Sequence, residues 1–257
     1  MLDATLARVP TRCALGRYQG VLSTVHVEVA GRPLTFLFDL GAGVTALDAA
    51  VADDLRLGEV RRVTGRRMTG ADVDLALLEP TPLTVGDYQL PARSLGKLDL
   101  ARLLPEDWPR VDGVLALDAL EHVPFAVDFA RDRMDLGAPL DRDGLSSLRI
   151  RLHRQIPHTS LVVLVAVGEG EDACWFELDN SNTGPVLVAP HAAARLGLAA
   201  GTEPTETNIT VPGAGTIRVP VLARDILYDG NLGRTFTASR RFGFDLAQGW
   251  IGVAPRS

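Results

Sequence analysis

A mainly β fold of two homologous lobes with few short helices is what the sequence predicts, on three observations. Short apolar runs recur between turns rich in Gly, Pro, Asn and Asp, the pattern of short strands. Each half carries one clear helical segment, around residues 49–57 and 190–198. Two blocks of the first half return, in the same order, in the second.

The first block pair is VHVEVAGRPLTFLFDLGAGVTALDAAVADDLRL, from Val25, and LVVLVAVGEGEDACWFELDNSNTGPVLVAPHAAARLGL, from Leu161. Each reads as strand, Gly-containing turn, strand, an aspartate at a polar turn, a short apolar run and an alanine-rich helix ending in Leu-x-Leu. From the aspartate on, the match needs one inserted residue. The second pair, VDGVLALDALEHVPFAVDFARDRMDLG and YDGNLGRTFTASRRFGFDLAQGWIGVA, aligns without gaps and sets Asp112 on Asp229, Phe125 on Phe242 and Asp128 on Asp245. Further helical turns are expected near residues 98–104 and 115–120. The polar stretch GAPLDRDGLSS, residues 137–147, marks the boundary, giving lobes 1–140 and 141–257.

Composition excludes several classes. With 257 residues, 46% hydrophobic and 23% charged, the chain is globular and can bury two cores. A formal charge of -6, with basic residues clustered only at Arg61, Arg62, Arg66 and Arg67, gives no footprint for nucleic acid. No apolar run reaches signal-peptide or membrane-span length; Asp3 interrupts the opening segment. Cys13 and Cys174 lie far apart without metal-type spacing and read as small buried hydrophobes in a reducing compartment, so a cytoplasmic location is expected.

Taken alone, Asp39 in FDLGA reads as a turn-former at a strand end. The second copy supplies a partner in Asp179, which itself admits an Asx-turn reading within DNSNTG. Strand, Asp-x-Gly, helix, then Asp-Gly with an apolar pair, and finally Phe-Asp with Ile-Gly-x-Ala, resembles the aspartic peptidases of the pepsin and retropepsin group over residues 20–256. The C-terminal NLGRTF and FGFDLAQGWIGVAP are the most specific part of the resemblance.

The resemblance implies two β-barrel-like lobes about a central cleft, with Asp39 and Asp179 as the catalytic pair at its floor. Two carboxylates at such close range cannot both ionise, so the pair shares a proton and holds a water for attack on a peptide carbonyl. No cofactor or metal is implied, a peptide or protein is the substrate, and one chain suffices to form the cleft. Gly41 lets the backbone turn beside the carboxylate and offers its N–H. Departures from the family pattern surround the pair: Leu40 and Asn180 stand where a bracing Thr is usual, and Ser181 replaces a glycine. Ala42 fits the retropepsin pattern, Asn182 can support Asp179 through its side-chain amide, and Ala116 stands for a glycine that Gly233 keeps. These departures leave two readings, an endopeptidase or a pseudo-peptidase that holds an extended segment without cutting it.

VTGRRMTGADVDL, residues 63–75, reads either as a flap over the cleft or as a surface hairpin with solvated arginines; Gly65, Arg66, Arg67, Met68 and Gly70 form its tip. As a flap, Arg66 and Arg67 suggest tolerance for acidic substrate groups. It carries no tyrosine, and ITVPGAGTIRV is its second-lobe counterpart. His153 and His158 bracket Pro157, which argues against a metal pair, and His26, His122 and His191 are isolated. Asp128 and Asp245 fit strand-end roles.

Overall fold

The computed structural model of the protein describes residues 9–156 and 159–254. The expectations for the opening segment around Asp3, for Pro157 and for His158 fall outside the described residues. The fold is mainly β and bilobal. A ten-stranded sheet lies within residues 16–115, a seven-stranded sheet within residues 150–223 and 230–232, and a six-stranded sheet draws strands from both halves. The expected boundary stretch supplies Ser146–Ser147 to that shared sheet, where it pairs with Trp250–Val253.

The strands follow the side-chain alternation. In Leu22–Val29, Val25, Val27 and Val29 are buried while His26 and Glu28 face solvent. The chain reverses through Ala30 and Gly31, both at positive φ, into Arg32–Phe38. That strand, which delivers Asp39, lies parallel to Gly113–Leu115. In the second lobe Cys174–Leu178 delivers Asp179 and lies parallel to Gly230–Leu232. Glycine is required at both crossings: a Cβ at Gly113 would fall 2.6 Å from the Phe36 ring, and one at Gly230 would fall 2.4 Å from Phe176. Each phenylalanine stands three residues before its aspartate, so the Asp-Gly element of either half clears the same obstacle.

The helices Ala49–Asp54 and Pro190–Leu196 end alike. Arg56 and Gly197 adopt left-handed φ values of 55° and 62°, and the next leucine N–H turns back to a carbonyl five residues earlier, Leu57 to Ala52 and Leu198 to Ala193. This is the physical content of the repeated Leu-x-Leu. Helical turns form at Leu100–Arg102 and Leu117–Leu120, as expected. A turn at Arg234–Thr237 was not expected; RTFT has no helical pattern, but the segment occupies the place of Leu117–Leu120 and buries Phe236.

The shared sheet reveals the symmetry. Phe125–Asp128 pairs antiparallel with Arg241–Asp245, and Ala126 lies opposite Gly243, its own aligned equivalent. A local two-fold therefore passes between them, and the Phe125 and Phe244 rings stack across it at 4.4 Å. Asp128 and Asp245 accept the backbone N–H groups of Arg131 and Gln248, the strand-end role that their contexts suggested. Cys174 is buried, whereas Cys13 is only half-buried; both thiols are free.

Candidate active site

The same backbone cradle is built twice. The Asp39 N–H donates to Leu115 O at 3.0 Å, and the Asp179 N–H donates to Leu232 O at 3.0 Å. Asp112 accepts the Thr35 N–H, four residues before Asp39, at 2.7 Å; Asp229 accepts the Trp175 N–H, four residues before Asp179, at 2.7 Å. In each turn the carboxylate is fixed through one oxygen. Asp39 Oδ1 accepts from Gly41 N (2.8 Å) and Ala42 N (3.2 Å), and Asp179 Oδ1 accepts from Ser181 N (2.7 Å) and Asn182 N (3.1 Å). The second oxygen of Asp39 is not held by its own turn, and that of Asp179 accepts from Asn231.

The two turns meet. A Cβ at Gly41 would lie 2.6 Å from Asp179 Cγ, and both aspartates line one cavity of about 630 Å³. Gly41 does not have a left-handed φ, so its glycine is required not by the turn, as the sequence suggested, but by the approach of the opposite carboxylate. Ser181 likewise avoids the left-handed region, which is why a Cβ is tolerated there.

Asn180 joins the lobes at the base of the pair. Its Oδ1 accepts the Leu40 N–H at 2.7 Å, and its Nδ2 donates to Phe38 O at 2.8 Å. One buried amide thus satisfies two backbone groups of the opposite turn. Leu40 contributes its backbone N–H to this brace while its side chain is fully buried in the core.

The expected contact of the Asn182 side chain with Asp179 is corrected. That amide donates to Asn231 Oδ1 at 2.8 Å, and Asn231 Nδ2 in turn donates to Asp179 Oδ2 at 2.9 Å. Asn182 reaches the carboxylate with its backbone N–H only, because its side chain is turned under the loop toward Pro185 O. Asn231 Nδ2 also donates to Glu177 Oε2 at 3.0 Å. Glu177 and Asn231 are site residues that sequence reading missed; the available signal was the spacing in FELD, which sets Glu177 and Asp179 on one strand face.

Burial shifts both carboxyls of the pair upward. Both aspartates keep partial exposure to the cavity yet are largely surrounded by protein, so they are reachable from the cavity while water solvates them poorly. Burial, and then the Asp179 charge, pushes the Asp39 carboxyl up to about 7, against the pull of the Gly41 and Ala42 N–H groups. Burial also raises Asp179, opposed by Asn231, Ser181 and Asn182. The Ser181 hydroxyl tempers the rise at Asp39 without forming a well-aligned hydrogen bond to it.

The hairpin of Glu59–Arg66 and Asp72–Leu78 closes one side of the cavity, to which Gly65, Arg66, Arg67 and Met68 contribute; Gly70 sits in its turn at φ 82°. Its tip is tied to the second lobe: the Leu227 N–H donates to Met68 O at 2.9 Å, and the Arg66 N–H donates to Gln155 Oε1 at 3.0 Å. Gln155 also holds the Tyr228 hydroxyl, which lines the cavity from the second lobe. Arg66 pairs with Asp72. The counterpart hairpin, Thr205–Val211 with Gly215–Ala223, forms but does not line this cavity. A neighbouring cavity of about 830 Å³ shares Gly65, Arg66, Gln155 and Tyr228 but holds neither Asp39 nor Asp179.

No protein-family model and no curated protein matches the chain. Solved structures do. Basic 7S globulin from soybean superposes with a TM-score of 0.62 at 9% identity, covering 96% of this chain and 95% of that one. The aspartic proteinase from Irpex lacteus superposes with a TM-score of 0.57 at 13% identity, covering 97% and 98%. The fold is aspartic-protease-like and bilobal. Fold similarity spans nearly the whole chain, and the duplicated cradle is common to both of its lobes.

Proposed function

We propose that the protein is an aspartic endopeptidase in which Asp39 and Asp179 hydrolyse a peptide bond in the interlobe cleft. One observation carries this reading: two carboxyls, held in duplicate turns and facing one cavity, are so poorly solvated that the pair keeps a proton to about pH 7. The ionised member takes a proton from water as the water oxygen attacks the scissile carbonyl, and the protonated member gives its proton to the carbonyl oxygen. Collapse of the tetrahedral intermediate breaks the C–N bond, and the leaving nitrogen receives a proton from the pair. An extended peptide lies beside the hairpin, held by main-chain hydrogen bonds as in strand addition. Pairing of Arg66 with Asp72 leaves Arg67 as the unpaired cation of the flap tip among the described residues, which narrows the basis for acidic substrate groups.

Capture without cleavage is the competing reading, favoured by Leu40 and Ser181 and by the similarity to a protein named as a globulin. Digestion of a diverse peptide library from pH 3 to 9 separates the two. Cleavage by the wild type that disappears in both Asp39→Asn and Asp179→Asn supports the endopeptidase; cleavage that persists in both rules out this mechanism, and peptide binding with no cleavage at any pH supports capture.

The pH profile has a defined sign. Activity requires one proton on the pair, so kcat/KM is expected to fall as pH rises through about 7. On the acid side it falls when the second carboxyl protonates, above the ordinary carboxylate value of roughly 3.9 because Asp179 is also raised. A profile flat from pH 5 to 9 contradicts the shared proton. Gly41→Ala forces Asp179 aside and is expected to lower kcat/KM by about a hundredfold, the cost of roughly 1 Å of misplacement, with an unchanged circular dichroism spectrum.

A further inference from the structure

The hydrolytic chemistry leaves Glu177 without a task. It stands two residues before Asp179, so strand alternation turns both carboxyls to one face. It is 5% exposed and lines the cleft cavity. Oε2 accepts from Asn231, while Oε1 has no hydrogen-bond partner and the group no ion pair among the described residues. The titratable groups that face it are Asp179, Asp39 and the Tyr228 hydroxyl; none is a cation, and Asn231 alone favours its ionised form.

The internal duplication shows that the fold does not need this arrangement. Where the second lobe has Glu177, Asn231 and Asn182, the first has Leu37, Val114 and Ala42 at the aligned positions, and Leu37, Val114 and Ala42 line the cavity as an apolar wall. The two sides of the cleft therefore differ in chemistry although their backbones match. A carboxylate buried without a counter-charge is unfavourable, and an apolar residue of similar size would serve stability better. A group of this kind, open to a cavity on one oxygen, is completed by a cation that arrives from outside.

We propose that Glu177 is a specificity determinant that selects a lysine or arginine side chain on the second-lobe side of the cleft. The inference rests on the cleft being a peptide-binding site and deepens that reading. Burial, and then the charges of Asp179 and Asp39, raises the Glu177 carboxyl well above its ordinary value, so the site lacks a group that favours the ionised form beyond the single amide of Asn231. Docking of an ammonium or guanidinium group supplies the missing counter-charge and forms the ion pair.

Calorimetry on the full-length Asp39→Asn protein, which leaves peptides intact, tests this at pH 7. Peptides in which lysine replaces norleucine one position at a time are the probes. At one position lysine is expected to bind about tenfold tighter or better than norleucine. Adding Glu177→Gln, which keeps an acceptor for Asn231, is expected to abolish the preference. Binding without a lysine preference, a preference unchanged by Glu177→Gln, or no binding of any peptide would overturn the proposal. Because the readout is binding, loss of the endopeptidase reading, in which the wild type binds but never cuts, leaves the lysine preference intact and is recognised separately.

Discussion

Asp39→Asn and Asp179→Asn are each expected to lower kcat/KM by about a thousandfold to ten-thousandfold, the range that a positioned acid or base supplies. The amide keeps an oxygen for the N–H groups of its turn, so the cradle persists while the proton chemistry is lost. Asp39→Asn carries a second signature in stability. The folded-state value of about 7 lies above the unfolded value of 3.8, so the native state binds this proton more tightly than the unfolded chain does. Stability is therefore lost as pH rises from about 4 to 7, and the cost stays in full above that. Asparagine removes the cost, on the order of 2–4 kcal/mol for a shift of this size shared between coupled groups. Thermal denaturation is expected to show a higher Tm for Asp39→Asn at pH 8 and little difference at pH 4. A variant both inactive and more stable at alkaline pH is the mark of a strained functional group.

Asn180→Leu is expected to have the largest effect of any change outside the two aspartates. It leaves the buried Leu40 N–H and Phe38 C=O without partners, at about 1–3 kcal/mol each. Chemical denaturation should show a loss of about 2–6 kcal/mol, and kcat/KM should fall by about a hundredfold as the turns drift apart. Asn180→Thr is the informative control, because one hydroxyl can donate to Phe38 O and accept from Leu40 N–H together. Recovery of most activity in Asn180→Thr, with none in Asn180→Leu, assigns the effect to the bridge and not to side-chain volume.

Much of the fold was legible because the chain states it twice. The aligned Asp112 and Asp229 turned out to hold the same backbone position in each lobe, and Leu-x-Leu marked the same helix end. What sequence left obscure depends on distances between segments far apart in the chain. Gly41 reads as a turn glycine until the opposite carboxylate is seen beside it, a contact across 138 residues of sequence separation that no local pattern encodes. Asn231 sits in YDGNLG as an unremarked polar residue at the position aligned with Val114, and only the fold shows that it bridges Glu177 and Asp179. Asn180 reads in the sequence only as a side chain able to hydrogen-bond with a reach different from threonine's; in place, its amide donates to one backbone group and accepts from another at once.

The shared proton is most directly measured by carbon-13 NMR of aspartate-labelled protein titrated from pH 3 to 9, with Asp39→Asn and Asp179→Asn to assign the two carboxyls. One carboxyl of the pair should stay protonated to about pH 7, and its titration should move to lower pH when the other is replaced by asparagine. Two carboxyls that each ionise near the ordinary value of roughly 3.9, indifferent to replacement of the other, would contradict the shared proton and the chemistry built on it.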